Sequence, residues 1–136
     1  MTLFLLALSA VQATPNRLAA TLELDSEVER FSQGHHEDFV AFLDGAGSLN
    51  VLDVRTWSMS SVTPSCSVED VALHTLLDGS VQLYGACDDG SLVAFELSER
   101  GEFSAVSAEE LMLDSDYGLI GLVSTEWGIW AAADQD

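Results

Sequence analysis

Two segments of this chain spell nearly the same hairpin. Phe39-Val40-Ala41-Phe42-Leu43-Asp44-Gly45-Ala46-Gly47-Ser48-Leu49 parallels Leu83-Tyr84-Gly85-Ala86-Cys87-Asp88-Asp89-Gly90-Ser91-Leu92, and their Gly-Ser-Leu triplets lie 43 residues apart. After the triplets, Val51-Leu52-Asp53-Val54 matches Ala94-Phe95-Glu96-Leu97. A third copy opens at Ile129-Trp130-Ala131-Ala132-Ala133-Asp134, 46 residues beyond Leu83. The strand starts at Phe39 and Leu83 are 44 apart, which predicts one extra residue in the first turn. A further apolar segment precedes each hairpin, beginning at Val28, Val71 and Leu119. A fixed period means one supersecondary unit used repeatedly. Such units bury their apolar faces by stacking on one another.

The unit is built of strands. Short apolar or alternating runs between turn signals predict strands at 17–24, 28–31, 39–43, 48–54, 59–62, 71–76, 81–87, 91–97, 103–107, 119–124 and 129–133. The best helical stretch, Glu109-Glu110-Leu111-Met112-Leu113, is too short to matter. Asp88-Asp89-Gly90 offers a side-chain acceptor and a glycine free to adopt positive φ, which reverses the chain. Gly85-Ala86 and Ala131-Ala132-Ala133 suit a place where neighbouring sheets converge.

Each unit therefore reads as four strands, and four strands per 43 to 46 residues is the period of a β-propeller blade. The pattern of apolar strand, Asp-Asp-Gly-Ser-Leu and Val-x-Phe-x-Leu resembles the WD40/YVTN/quinoprotein-like class of propeller repeats, over about Val28 to Asp136. The Gly-His and Trp-Asp pairs of the WD40 consensus are absent, and Trp57, Trp127 and Trp130 do not recur in register. The resemblance implies an all-β chain of consecutive antiparallel meander blades; a small β-sandwich of the same hairpins is the alternative. The expected division is a signal peptide at 1–13, an N-terminal strand or linker at 14–27, blade 1 at 28–63, blade 2 at 64–107 and an incomplete blade 3 at 108–136. Three units are too few for a ring of about four to eight blades. The expectation is an N-terminal fragment whose remaining blades lie outside this chain, with an open apolar edge.

Leu3-Phe4-Leu5-Leu6-Ala7-Leu8, followed by Val11-Gln12-Ala13, has the apolar core and small-residue cleavage site of a secretory leader. The apolar run is too short to span a bilayer, which takes about 20 residues. A secreted or periplasmic product beginning at Thr14 is expected; a strand built into the fold is the competing reading of the same segment.

The chain carries 23 acids, four arginines and no lysine, for a net charge of −19. Phosphate backbones need clustered cations, so nucleic acid is excluded as a partner, and anionic lipid is disfavoured for the same reason. An acidic exterior protein with a protein or other exterior ligand fits this balance.

Few residues suggest chemistry. His35-His36-Glu37-Asp38 has metal-ligand types, but neighbours on a strand point to opposite faces, so a polar turn is expected. His74 lies among apolar residues and reads as a satisfied core histidine. Asp88, Asp89, Asp134 and Asp136 are weak calcium candidates; the full Asp-x-Asp-x-Asp-Gly loop is missing, and turn capping is the expected role. Trp127 and Trp130 are expected to pack between units. Cys66 and Cys87 would lie at one end of the same unit, so a disulfide between them is feasible in an oxidising compartment, with two buried thiols as the alternative. No nucleophile elbow, phosphate loop or dinucleotide fingerprint occurs. The expected function is a binding scaffold. The alternative is part of a propeller enzyme, quinoprotein-like or a calcium-dependent hydrolase, with its catalytic residues elsewhere.

Overall fold

The computed structural model describes residues 2–7, 17–32, 36–106 and 117–135. These residues form twelve antiparallel strands and, among them, no helix. Strands β1 (Thr2–Ala7) and β2 (Arg17–Glu23) make a hairpin. The first four-stranded sheet runs β3 (Val28–Phe31), β4 (Phe39–Asp44), β5 (Leu49–Asp53), β6 (Ser58–Val62) in simple meander order. The second is an equivalent meander of β7 (Val68–Thr75), β8 (Val81–Cys87), β9 (Leu92–Leu97) and β10 (Phe103–Val106). A two-stranded sheet follows, β11 (Tyr117–Thr125) with β12 (Gly128–Gln135).

The expected strand order holds, and two details of the expectation are corrected. First, no extra residue sits in the first turn. Leu43 pairs with Leu49 as Ala86 pairs with Leu92, and Phe42 with Asn50 as Gly85 with Val93, so the 43-residue offset runs through the whole hairpin. The apparent offset of 44 came from matching Phe39 with Leu83. Second, the first strand of the second sheet begins at Val68, not Val71. Asp70 interrupts the apolar run, but it lies inside the strand with its carboxylate satisfied by backbone amides. Leu92 and Phe95 of β9 do not share a face. They are three residues apart, and alternation puts them on opposite sides: Phe95 is opposite Leu83, and Leu92 is opposite Ala86.

The same turn recurs four times. In Asp44–Ser48, Leu76–Ser80, Cys87–Ser91 and Ser98–Glu102 the fourth-residue N–H donates to the first carbonyl, and the first N–H donates to the fifth carbonyl. The fourth residue is always glycine: Gly47, Gly79, Gly90 and Gly101, with φ of 78°, 86°, 84° and 73°. A type I turn closed by a left-handed residue demands this, because a Cβ is disfavoured there. A short side chain caps each turn. Asp78 and Asp89 accept from Ser80 and Ser91, while Asp44 and Ser98 accept from the amides that follow them.

A β-bulge also recurs. The first strand of each sheet shifts register between Val28 and Arg30, Val68 and Asp70, and Leu119 and Gly121. The three residues before the bulge pair with Asp44, Cys87 and Ala133, so these positions are equivalent. Turn length, hairpin register and bulge position all agree that one unit is repeated.

The sheets stack face to face. Phe39, Ala41, Leu43, Leu49 and Val51 of the first sheet meet Val71, Leu73, Val81, Leu83 and Leu97 of the second in one buried cluster. Each of these side chains larger than Ala41 contributes about 1.5–3 kcal/mol by leaving water. Gly85 is required at this interface: a Cβ there would lie 2.9 Å from Val93 Cγ2 and 3.2 Å from Leu49 Cδ1. The opposite face of the second sheet, through Ala72, Tyr84, Ala86 and Leu92, packs on Leu119, Leu122 and Ile129 of the third. The outer face of the first sheet carries a smaller cluster of Leu22, Leu24, Val28 and Phe42.

The segment read as a leader contributes β1, which pairs with β2 through a bulge between Leu5 and Leu6. The expected cleavage site after Ala13 lies outside the described residues, as do residues 107–116, where the short helical stretch was considered.

Candidate functional site

The first strands of the three sheets meet at their bulges, and Asp70 joins them. Its side chain is 7 % exposed. One oxygen, Oδ1, accepts from Val71 N at 2.9 Å and lies 3.5 Å from Arg30 Nη1 on the first sheet. The other, Oδ2, accepts from Leu122 N on the third sheet at 2.7 Å. A buried carboxylate is tolerated only when hydrogen-bonded and charge-paired, and here the required partners come from three successive units. Gly121 lies beside it: a Cβ there would make ordinary contact with Oδ2, at 3.6 Å. Four residues further along β7, His74 Nδ1 lies 3.2 Å from Ser124 Oγ on β11, so this buried histidine is satisfied across the same interface.

A recess of about 730 Å³ opens where the first and second sheets end together. Its rim carries Glu37, Asp38, Asp78, Glu96 and Glu99, and buried Phe39, Val81 and Leu97 lie behind them. Arg55 crosses the gap between the sheets. It holds Asp53 in a two-pronged pair, Nε to Oδ1 at 3.1 Å and Nη2 to Oδ2 at 2.8 Å, and donates to the Glu99 carbonyl at 2.6 Å. Nη1 lies 3.4 Å from Asp38, and the guanidinium rests 5.4 Å from the centre of the Phe39 ring. With Arg55 committed in this way, the recess presents Glu37, Asp78, Glu96 and Glu99 as an exposed anionic rim.

The Arg55 hydrogen bonds hold the Asp53 carboxyl below the usual aspartate range, against the opposing effect of burial. A carboxyl whose folded pKa is depressed adds stability above its unfolded value and loses it as pH falls through the folded one. The stability difference between the protein and its Asp53→Asn variant is therefore expected to be largest near neutrality and to close below about pH 4, the ordinary aspartate range. Urea titrations across pH 3–7 measure it; a difference that stays constant would remove Asp53 from the account. Asp78 and Asp89 are likewise held low, each by the hydroxyl and amide of the serine two residues on.

The other residues singled out in the sequence disperse. Asp89 caps its turn, with Oδ1 accepting Ser91 N at 2.9 Å and Oγ at 2.5 Å. Asp88 is exposed in the same turn, Asp134 is exposed on β12, and Asp136 lies outside the described residues. Among the described residues no group of three or more His, Cys, Asp or Glu is placed to hold a metal ion. His36 accepts the Asp38 amide at 3.1 Å and lies against Phe39, as a turn residue; His35 is outside the described residues. Cys66 and Cys87 are joined by a disulfide with Cα atoms 5.8 Å apart. Trp127 and Trp130 do not pack between units: they are 85 % and 65 % exposed, on the turn and the outer face of the third sheet. No helix among the described residues is long and apolar enough to cross a membrane.

Sequence inspection missed Asp70, Arg55 and Asp53. The signal for Asp70 was an acid inside an apolar run, and for Arg55 an arginine two residues after a buried acid. Compared with protein-family models and with curated proteins, the chain matches none.

Proposed function

We propose that this chain is an exported, acidic β-propeller segment that serves as a binding scaffold, and that the acid-rimmed recess takes a cationic segment of a protein partner. One observation carries the architecture: the first strands of three consecutive register-matched units lie side by side, with Asp70 bridging equivalent bulges. Consecutive meanders with their first strands together are the arrangement of blades around an axis. Further units of the same kind would cover the open face of the third sheet.

Charge supports the partner class. Four exposed carboxylates at one rim, on a chain of net charge −19, attract cations over about a Debye length of 8–10 Å at moderate salt. Export rests on the leader-like segment.

Calorimetric titration with an oligolysine peptide tests the scaffold reading. Binding is expected at low salt and should weaken steeply as salt rises. The Asp78→Asn, Glu96→Gln, Glu99→Gln variant should bind about tenfold more weakly, the loss of about 1.4 kcal/mol of rim attraction. Neutralising Asp25 and Glu27 instead should matter far less; equal losses from both variants would rule out the recess as the site. Intact mass of product recovered outside an expressing cell tests export, with a start at Thr14 expected and retention of Met1–Ala13 counting against it.

A further inference from the structure

Arg55 has open space on both sides. Together with Glu99 it borders the acid-rimmed recess, and the same two residues border a second hollow of about 620 Å³, walled also by Asp53, Thr56, Ser58 and Arg100. Between the two hollows the guanidinium stands as a strut from the first sheet to the second.

Two contacts bring the β9–β10 turn to the end of the first sheet. One is backbone against ring: Gly101 approaches Phe39 so closely that a Cβ would lie 3.4 Å from Phe39 Cε1. The other is Arg55. Its anchor is Asp53, whose side chain is 2 % exposed and therefore fixed in place. From that two-pronged pair, Nη2 reaches the Glu99 carbonyl, 44 residues along the chain, at 2.6 Å. Nη1 draws in Asp38 at 3.4 Å. A guanidinium carries its N–H donors in a rigid planar fork, so these partners are held in set directions.

The groups held in this way carry the rim. Glu99 belongs to the strut by its carbonyl and to the rim by its side chain. Asp38 follows directly on Glu37, the rim carboxylate of the first sheet. Asp78 and Glu96 stand with Glu99 on the second sheet. The rim is thus two acidic lips, one on each sheet, and Arg55 is bonded to both.

We propose that Arg55 is the positioning residue of the recess: it sets the spacing of the two acidic lips, and so favours a cationic partner segment although it carries the same sign of charge. The inference rests on the recess reading given above and assigns the geometry of that site to one residue. Charge and position make opposite claims about it. By Coulomb's law alone, a positive group at the rim repels an incoming cation, so removing it should tighten binding. If Arg55 sets the spacing, removing it frees the lips from one another, and a ligand that engages both loses one of them.

The test is calorimetric titration at low salt with capped hexalysine and with capped dilysine, whose two cations one lip can satisfy. Arg55→Gln alone would leave the buried Asp53 without its partner, so it is combined with Asp53→Asn. The double variant keeps the net charge at −19, and near-ultraviolet circular dichroism establishes that it is folded. It should bind hexalysine about tenfold more weakly than the parent and dilysine within about twofold. Arg55→Lys keeps the charge but lacks the fork, and should weaken hexalysine binding by about fivefold. Hexalysine binding that is unchanged or tighter in the double variant, as charge alone requires, would overturn the proposal. Equal losses for both peptides would overturn it as well, by assigning Arg55 to folding rather than to lip spacing. A parent that binds neither peptide would instead remove the recess reading, and this inference with it.

Discussion

Truncating Leu83 to alanine is expected to lower stability by about 2–5 kcal/mol, the range for a large aliphatic side chain removed from a packed interior. Leu83 is fully buried on β8 and belongs to the cluster that joins the first and second sheets. Neighbours from both sheets surround the gap, and collapse around it is limited because Gly85 already brings the sheets to close approach. Leu77, wholly exposed in the β7–β8 turn, is the control, and its alanine variant should stay within about 0.5 kcal/mol of the parent. Urea denaturation of the two variants measures the contrast. Equal midpoints would mean that the first and second sheets do not share a core.

Replacing Cys66 and Cys87 together by alanine is expected to cost about 3 kcal/mol, the loop entropy of a cross-link between residues 21 apart in sequence. The bond ties the segment entering β7 to the end of β8, where Asp88 N also donates to Ser67 O at 3.0 Å. Its influence reaches the third sheet, because Gly118 lies so close to the Asp88 carbonyl that a Cβ would come within 2.6 Å of the oxygen. Loosening this corner should therefore make the third sheet the first part to be cut by protease. The unfolding midpoint with and without a thiol reductant gives the stability loss, and mass analysis of early fragments locates the cut. A midpoint indifferent to reductant would show that the bond constrains little.

The repeat was legible because its determinants are local. Glycine at the fourth place of a five-residue turn and apolar alternation on either side are chemical requirements of a hairpin, and both are written in consecutive residues. That is why Val28–Phe31 and Val81–Cys87 lie where the periodicity places them. The start of β7 was not legible. Asp70 looks like a turn residue until its partners are known, and those partners, Arg30 and Leu122, lie 40 and 52 residues away. The same limit applied to the candidate sites. Asp89 was an exception: turn capping was its expected role over calcium binding, and its bonds to Ser91 N and Oγ show that cap. Trp127 and Trp130 were assigned to packing because large aromatic rings are usually covered, whereas they lie exposed in the β11–β12 turn and on the face of the third sheet.

The ladder pattern also sets an order of motion. Strands β5 and β8 are bonded on both edges and lie between covered faces, so exposing their amides to solvent means breaking two ladders and the sheet interfaces at once. Such amides open only with the whole molecule, while that of Leu77, wholly exposed in its turn, lies at the other extreme. The chain is thus graded, from a centre that exchanges protons at the rate of global unfolding to turns already in contact with water.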